Sequence, residues 1–167
     1  AISIVGPRRA GKTFYFFQLM KPVKNDSLYL DFEDSSLINV RYNEILDVIS
    51  LFVEVVGKEP RYLFLDEIQR IEKWESMVRT LLDRTNCYLF ITGSSSKLLS
   101  KEIATQLRGR SLTYLLLGFS FSEYLKAKKI EVENVLSQTE KAILKREVKK
   151  YLEFGGFPEV VLEEEKE

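Results

Sequence analysis

Five short apolar runs punctuate the chain: Ile2–Val5, Leu28–Phe32, Tyr62–Leu65, Tyr88–Thr92 and Leu112–Leu117. Most are near-continuous and show no alternation, the pattern of strands buried on both faces of a parallel sheet. Between them the period becomes helical. Lys12–Met20 reads as a helix leaving the first run. Arg41–Val56 carries Ile45, Leu46, Ile49, Phe52, Val53 and Val56 at helical spacing, with Gly57 as its stop. Glu72–Arg84 gathers Trp74, Met77, Val78, Leu81 and Leu82 on one face, which makes Trp74 a core residue. Helices alternating with buried strands predict a doubly wound α/β domain, a parallel five-stranded sheet with helices on both faces. After about residue 118 the strands stop. Ser120–Lys129 and Gln138–Phe154 read as helices; Gly155-Gly156 ends the second and Pro158 then blocks continuation. The expected organisation is a core over residues 1–118 and the start of a helical lid, cut short, over residues 119–167.

Composition narrows the chemistry. With 167 residues, 45% of them apolar, one domain with a proper core is expected. No apolar run reaches the length of a membrane span and no signal peptide is visible, so a cytoplasmic protein without a membrane partner is expected. The chain opens on a strand without a Met, so upstream residues are expected to be missing. The single cysteine, Cys87, rules out an internal disulfide and reads as a buried thiol. There is no histidine, which excludes His metal sites, Ser-His-Asp triads and His general bases. Acid–base chemistry must come from carboxylates, lysines or water. With 25 basic and 25 acidic residues there is no basic excess, and no case for direct nucleic-acid contact by this segment. Glu163–Glu167 reads as a solvated helix end or a truncation point.

Two motifs carry the chemistry. Gly6-Pro7-Arg8-Arg9-Ala10-Gly11-Lys12-Thr13 fits G-x-x-x-x-G-K-[ST], between a strand and a helix. Its glycines let the backbone curl so that successive N–H groups face one concavity, suited to triphosphate oxygens. Lys12 is expected on the β- and γ-phosphates and the Thr13 hydroxyl on Mg²⁺. Phe14 completes the nucleotide-binding positions; Arg8 and Arg9 lie near phosphate but read as facing solvent or a partner. Tyr62-Leu63-Phe64-Leu65-Asp66-Glu67 ends a buried strand in two acids at the sheet edge where the P-loop opens. Asp66 is expected to bind Mg²⁺, usually through water, and Glu67 to polarise the water attacking the γ-phosphate. Asp31, Glu33 and Asp34 after the second strand could lie near the metal, but a turn or capping role is the stronger reading. At Thr92-Gly93-Ser94-Ser95-Ser96, a hydroxyl could sense the γ-phosphate or the water; equally, Ser94 or Ser95 could cap a helix at Ser96–Leu99. Arg108 and Arg110, before the fifth strand, read as arginines acting on a neighbouring subunit's transition state or as surface salt bridges.

Gly6–Thr13, the run Leu63–Gln69, Ile91–Ser100, Leu107–Arg110, Phe119–Leu125 and Gly155–Val160, in this order, resemble one group of AAA-type P-loop ATPases from archaea and bacteria. The resemblance covers essentially the whole chain. It implies sheet order 5-1-4-3-2, Lys12 and Thr13 on phosphate and magnesium, and Asp66 and Glu67 as the Walker B pair. It implies a sensor at Thr92 or Ser94, and suggests Arg110 as the arginine finger with Arg108 second. It implies ATP/ADP as the nucleotide, self-association or a partner protein that supplies or receives the finger, and C-terminal domains through which nucleic acid could be met. The chain departs at Gly118-Phe119-Ser120-Phe121, where the group commonly has Pro-Leu before Ser-Phe. The expected function is Mg²⁺-dependent ATP hydrolysis coupled to rearranging a partner or appended domain. A slow nucleotide-switched scaffold would use the same residues; a small-molecule kinase is disfavoured because a kinase must exclude water rather than activate it.

Overall fold

The computed structural model describes residues 1–37, 40–94, 107, 109–132 and 137–163. Two compact units emerge: Ala1–Arg8 with Lys12–Leu116, and Arg9–Gly11 with the chain from Leu117 onward.

The first unit is a parallel sheet of β1 (Ile2–Val5), β2 (Ser27–Asp31), β3 (Tyr62–Asp66), β4 (Tyr88–Gly93) and β5 (Leu112–Leu115), ordered β2-β3-β4-β1-β5. This is the expected order, with β4 between the P-loop strand and the Asp66 strand. The registers Val5↔Gly93 and Asp31↔Asp66 bring four strand ends to one edge. Strand pleating sends alternate residues to opposite faces. Leu63 and Leu65 join Ile45 and Ile49 of α2 (Ile45–Val56) and Met77, Val78 and Leu81 of α3 (Trp74–Arg84) on one face. Phe64 joins Phe16 of α1 (Lys12–Met20) on the other, the two rings edge-on at 5.2 Å. Helices thus cover both faces, and Trp74 is buried as expected.

Several expectations need correcting. β5 is not buried on both faces: Leu112, Tyr114 and Leu115 are exposed, because it is an outer strand pairing β1. It also stops at Leu115, although the Leu116 amide still donates to the Val5 carbonyl at 2.7 Å. The helix expected from Arg41 starts at Ile45, since Glu44 accepts from the Arg41 amide and closes a turn there. The helix expected from Glu72 starts at Trp74, because Lys73 adopts a left-handed conformation, φ 60°. Gly57 does end α2, at φ 78°. Cys87 is only half-buried, lying ahead of β4 with its thiol on the Pro60 carbonyl.

The second unit holds α4 (Phe121–Ala127), α5 (Gln138–Phe154) and α6 (Pro158–Glu163). Ser120 and Ser137 each open a helix with a full capping box, to Glu123 and Glu140. Tyr124, Leu125 and Val161 form its core. The buried Glu147 accepts from the Tyr124 hydroxyl at 2.9 Å and Arg146 Nε at 3.0 Å. Pro158 does more than block continuation. It opens α6, where a missing N–H and a fixed φ cost nothing.

Candidate functional site

The P-loop leaves β1 at the sheet edge where β2, β3 and β4 also end. Gly11, at φ 93°, takes the left-handed turn into α1. Gly6 serves differently: a Cβ there would lie 1.9 Å from the Leu116 carbonyl oxygen. Lys12 is buried at 4% exposure, with Nζ donating to the Pro7 carbonyl at 3.0 Å. The same Nζ lies 3.5 Å from Glu67 Oε1. Thr13 is half-buried in the first turn of α1, Ala10 is buried and Phe14 is 67% exposed. Arg8 and Arg9 are exposed, as expected. Arg8 reaches Glu33 and Arg9, at φ 64°, pairs with Glu159 at 3.2 Å.

Asp66 is fully buried at the end of β3, and its carboxylate is satisfied from three sides. Oδ1 accepts from the Thr92 hydroxyl and from the Glu67 amide at 3.2 Å; Oδ2 accepts from the Tyr29 hydroxyl at 2.9 Å. Burial and the charge of Asp66 push the Tyr29 phenol far above its ordinary range, so it remains a donor. Burial and the same charge also push Asp31 up, against the Glu33 amide that its Oδ1 accepts.

Glu67 sits in the left-handed region, φ 51° and ψ 47°. That conformation costs a residue with a Cβ roughly 1–2 kcal/mol and tends to occur where the chain aims a functional group. Its amide also donates to Thr92 Oγ1 at 3.0 Å, and its Oε2 accepts from the Ser94 hydroxyl at 2.8 Å and from the Gln69 amide. Burial pushes its pKa up, but Gln69, Ser94 and the Lys12 charge outweigh that and hold it below the usual carboxylate value. Glu67 is thus an ionised acceptor.

Lys12, Asp66, Glu67, Thr92 and Ser94 therefore share one hydrogen-bonded edge. Both hydroxyl positions left open by the sequence are engaged, Thr92 on Asp66 and Ser94 on Glu67. Arg110 is not brought to that edge. It lies ahead of β5 at the opposite end of the sheet, about 13 Å of strand away. Its carbonyl accepts from the Ala1 amine and its guanidinium pairs with Asp83. Arg108, Ser95 and the segment Ser96–Leu99 lie outside the described residues.

Sequence reasoning missed three partners. Tyr29 carries the one polar group in the run Leu28-Tyr29-Leu30, a signal that was readable. Gln69 was visible only as part of a motif. Glu33 bridges Arg8 and Arg70, a link with no sequence signature. The residues fit a magnesium nucleotide: a buried lysine, a glycine-permitted loop, a helix start carrying Thr13 and a buried carboxylate. Among the described residues no cluster of three or more His, Cys, Asp or Glu could hold a metal alone. No helix among the described residues is long and apolar enough to cross a membrane.

A family model described as an AAA domain matches residues 1–125. An uncharacterized protein of Methanocaldococcus jannaschii is 45% identical over 160 residues, covering 95% of this chain and 36% of the relative. An uncharacterized protein of Haemophilus influenzae is 32% identical over 170 residues, covering 97% of this chain and 40% of its own length. A second M. jannaschii protein, also uncharacterized, is 28% identical over 192 residues, with 99% and 40% covered. The chain thus spans about two-fifths of the length of these curated relatives.

Proposed function

The chain belongs to the AAA-domain family, and from that premise we propose that it binds ATP and hydrolyses it with magnesium to drive rearrangement of a partner or an appended domain. The observation that carries the reading is the convergence of Lys12 Nζ on Glu67 Oε1, 3.5 Å apart, beside the buried Asp66. In the proposed reaction Lys12 and the loop N–H groups between Gly6 and Thr13, Pro7 excepted, hold the phosphates, and Phe14 belongs to the nucleotide-binding positions. Thr13 and, usually through water, Asp66 would hold Mg²⁺, which would supply charge neutralisation at the phosphates. Glu67 accepts a hydrogen bond from water and directs its lone pair at the γ-phosphorus. The bond to the bridging oxygen breaks, and ADP and inorganic phosphate leave with the water's proton. Because its donors hold the Glu67 pKa down, the ionised carboxylate is a weak base, and it orients the water more than it takes the proton outright. Thr92 and Ser94 fix the two carboxylates. Arg110, at the far edge of the sheet, can serve only a neighbouring copy's phosphates, so the reading includes self-association.

The test is phosphate release from Mg-ATP by wild type, Glu67→Gln, Arg110→Ala and an equal mixture of the two variants. A positioned base is worth about 10²–10⁴-fold, so Glu67→Gln should fall by at least about 100-fold. The mixture should recover activity that neither variant has alone. Equal rates for wild type and Glu67→Gln overturn the role of Glu67, and an inactive mixture overturns the shared site. A second reading, a slow nucleotide-switched scaffold, is favoured by the three-sided hold on Glu67. Turnover well below about 1 s⁻¹ with retained ADP would select it.

A further inference from the structure

Glu67 is held from below by a side chain that the proposed reaction does not use. Gln69 lies on the single 3-10 turn Ile68–Arg70 that follows Glu67. Its Nε2 donates to Glu67 Oε2 and, at 3.2 Å, to Ser94 Oγ, while Ser94 Oγ donates to the same Glu67 oxygen at 2.8 Å. The three groups close a triangle. Its donor directions fix the amide orientation, because an amide oxygen turned toward Glu67 Oε2 would set two acceptors against each other. The other end of the amide is then committed: among the described residues, the buried Gln69 Oε1 has no hydrogen-bond partner.

That orphan is informative. A buried acceptor left unpaired is costly, and a methionine or leucine of similar volume would avoid the cost. A position chosen for stability alone has no use for glutamine here. What glutamine adds is an NH₂ group that can hold a carboxylate and a hydroxyl together. Glu67 needs such a hold, since its left-handed backbone leaves its side chain to be aimed by neighbours.

We infer that Gln69 is the positioning residue that locks the Glu67 carboxylate to the end of β4, so that Glu67 and Ser94 present one fixed acceptor geometry to the attacking water. This rests on the hydrolase reading above. Gln69 acts through Glu67 and touches neither nucleotide nor metal. Its loss should therefore lower turnover while leaving nucleotide binding and folding intact.

The experiment compares wild type with Gln69→Met and Gln69→Leu in kcat, in affinity for a fluorescent ATP analogue and in melting temperature. Expected are a kcat at least 10-fold lower, affinity within twofold of wild type and a melting temperature unchanged or raised. Gln69→Glu, which puts a second carboxylate against Glu67, should be no better than Gln69→Met. A kcat within twofold of wild type in Gln69→Met overturns the inference. So does a loss of kcat that tracks a fall in melting temperature. A second measurement is independent of turnover: the Gln69 side-chain amide in a nitrogen–proton NMR spectrum. One amide proton should lie downfield and move to the free-amide position in Glu67→Ala. If wild type releases no phosphate, the hydrolase reading fails, and a free-amide position in wild type would separately overturn the contact.

Discussion

Gly6→Ala tests the structural account most sharply, because the reason for this glycine changed between sequence and structure. A phosphate-binding motif predicts that both glycines curl the loop. Only Gly11 has the positive φ that requires glycine. Gly6 is needed for space: an added Cβ would sit 1.9 Å from the Leu116 carbonyl oxygen and 3.0 Å from its carbon, both rigid backbone. To reach ordinary contact at about 3.5 Å, the chain at Leu116 must retreat by roughly 1.5 Å. The same residue donates its amide to Val5 at 2.7 Å, so that retreat breaks the last bond between β1 and β5. Overpacking costs about 1–3 kcal/mol and the lost hydrogen bond about 1 kcal/mol, together about 2–4 kcal/mol. For a domain of this size each kcal/mol lowers Tm by about 2–4 °C, so a fall of about 5–15 °C is expected by circular dichroism. Gly57→Ala is the control. It has open space around it and only the left-handed penalty, about 1–2 kcal/mol, so its fall should be clearly smaller. If Gly6→Ala melts no lower than Gly57→Ala, the close-approach argument is wrong. If it loses nucleotide affinity at an unchanged Tm, the glycine belongs to the phosphate cradle after all.

Two further outcomes follow from buried carboxylates. Tyr29→Phe removes one of three donors to Asp66, a bond to a charged group worth about 1.5–3 kcal/mol, and should raise the Mg²⁺ concentration for half-maximal ATPase severalfold. An unchanged magnesium titration would show that Tyr29 does not hold the carboxylate. The pKa of Glu147 is pushed up by burial but held down overall by the Tyr124 hydroxyl and Arg146; Glu123 and Glu140 are held down by their capping serines. Groups whose folded pKa lies below the unfolded value of 4.5 lend stability above that pH and lose it as pH falls. Melting temperature should therefore be level from pH 8 to about 5 and drop below about 4.5, with a shallower drop in Glu147→Gln. An equal drop in that variant would remove Glu147 from the account.

The strands were legible because a buried parallel strand must be apolar throughout, and four of the five lie within one residue of the expected bounds. β5 shows the limit. Its run Leu112–Leu117 looks like the others, yet an apolar run cannot report whether a neighbour covers it. Helix starts were misjudged at Arg41 and Glu72, where one turn and one left-handed lysine intervene that periodicity does not register. The site divides the same way. Lys12, Asp66 and Glu67 stand at fixed spacings in motifs, so their convergence was readable. Tyr29 and Gln69 matter through bonds that cross strands or turn back on the chain, and such bonds follow register and backbone conformation rather than residue spacing.

The exposed outer strand has a practical consequence. Residues 111–117, Ser-Leu-Thr-Tyr-Leu-Leu-Leu, combine high strand propensity with no charge and no proline. A stretch like that, with only β1 beside it among the described residues, can template pairing between identical chains and seed insoluble material at high concentration. Tyr114 is exposed there, and a lysine in its place would act as a gatekeeper that leaves the phosphate edge untouched. Whoever prepares this chain for crystallisation or NMR should guard that strand first.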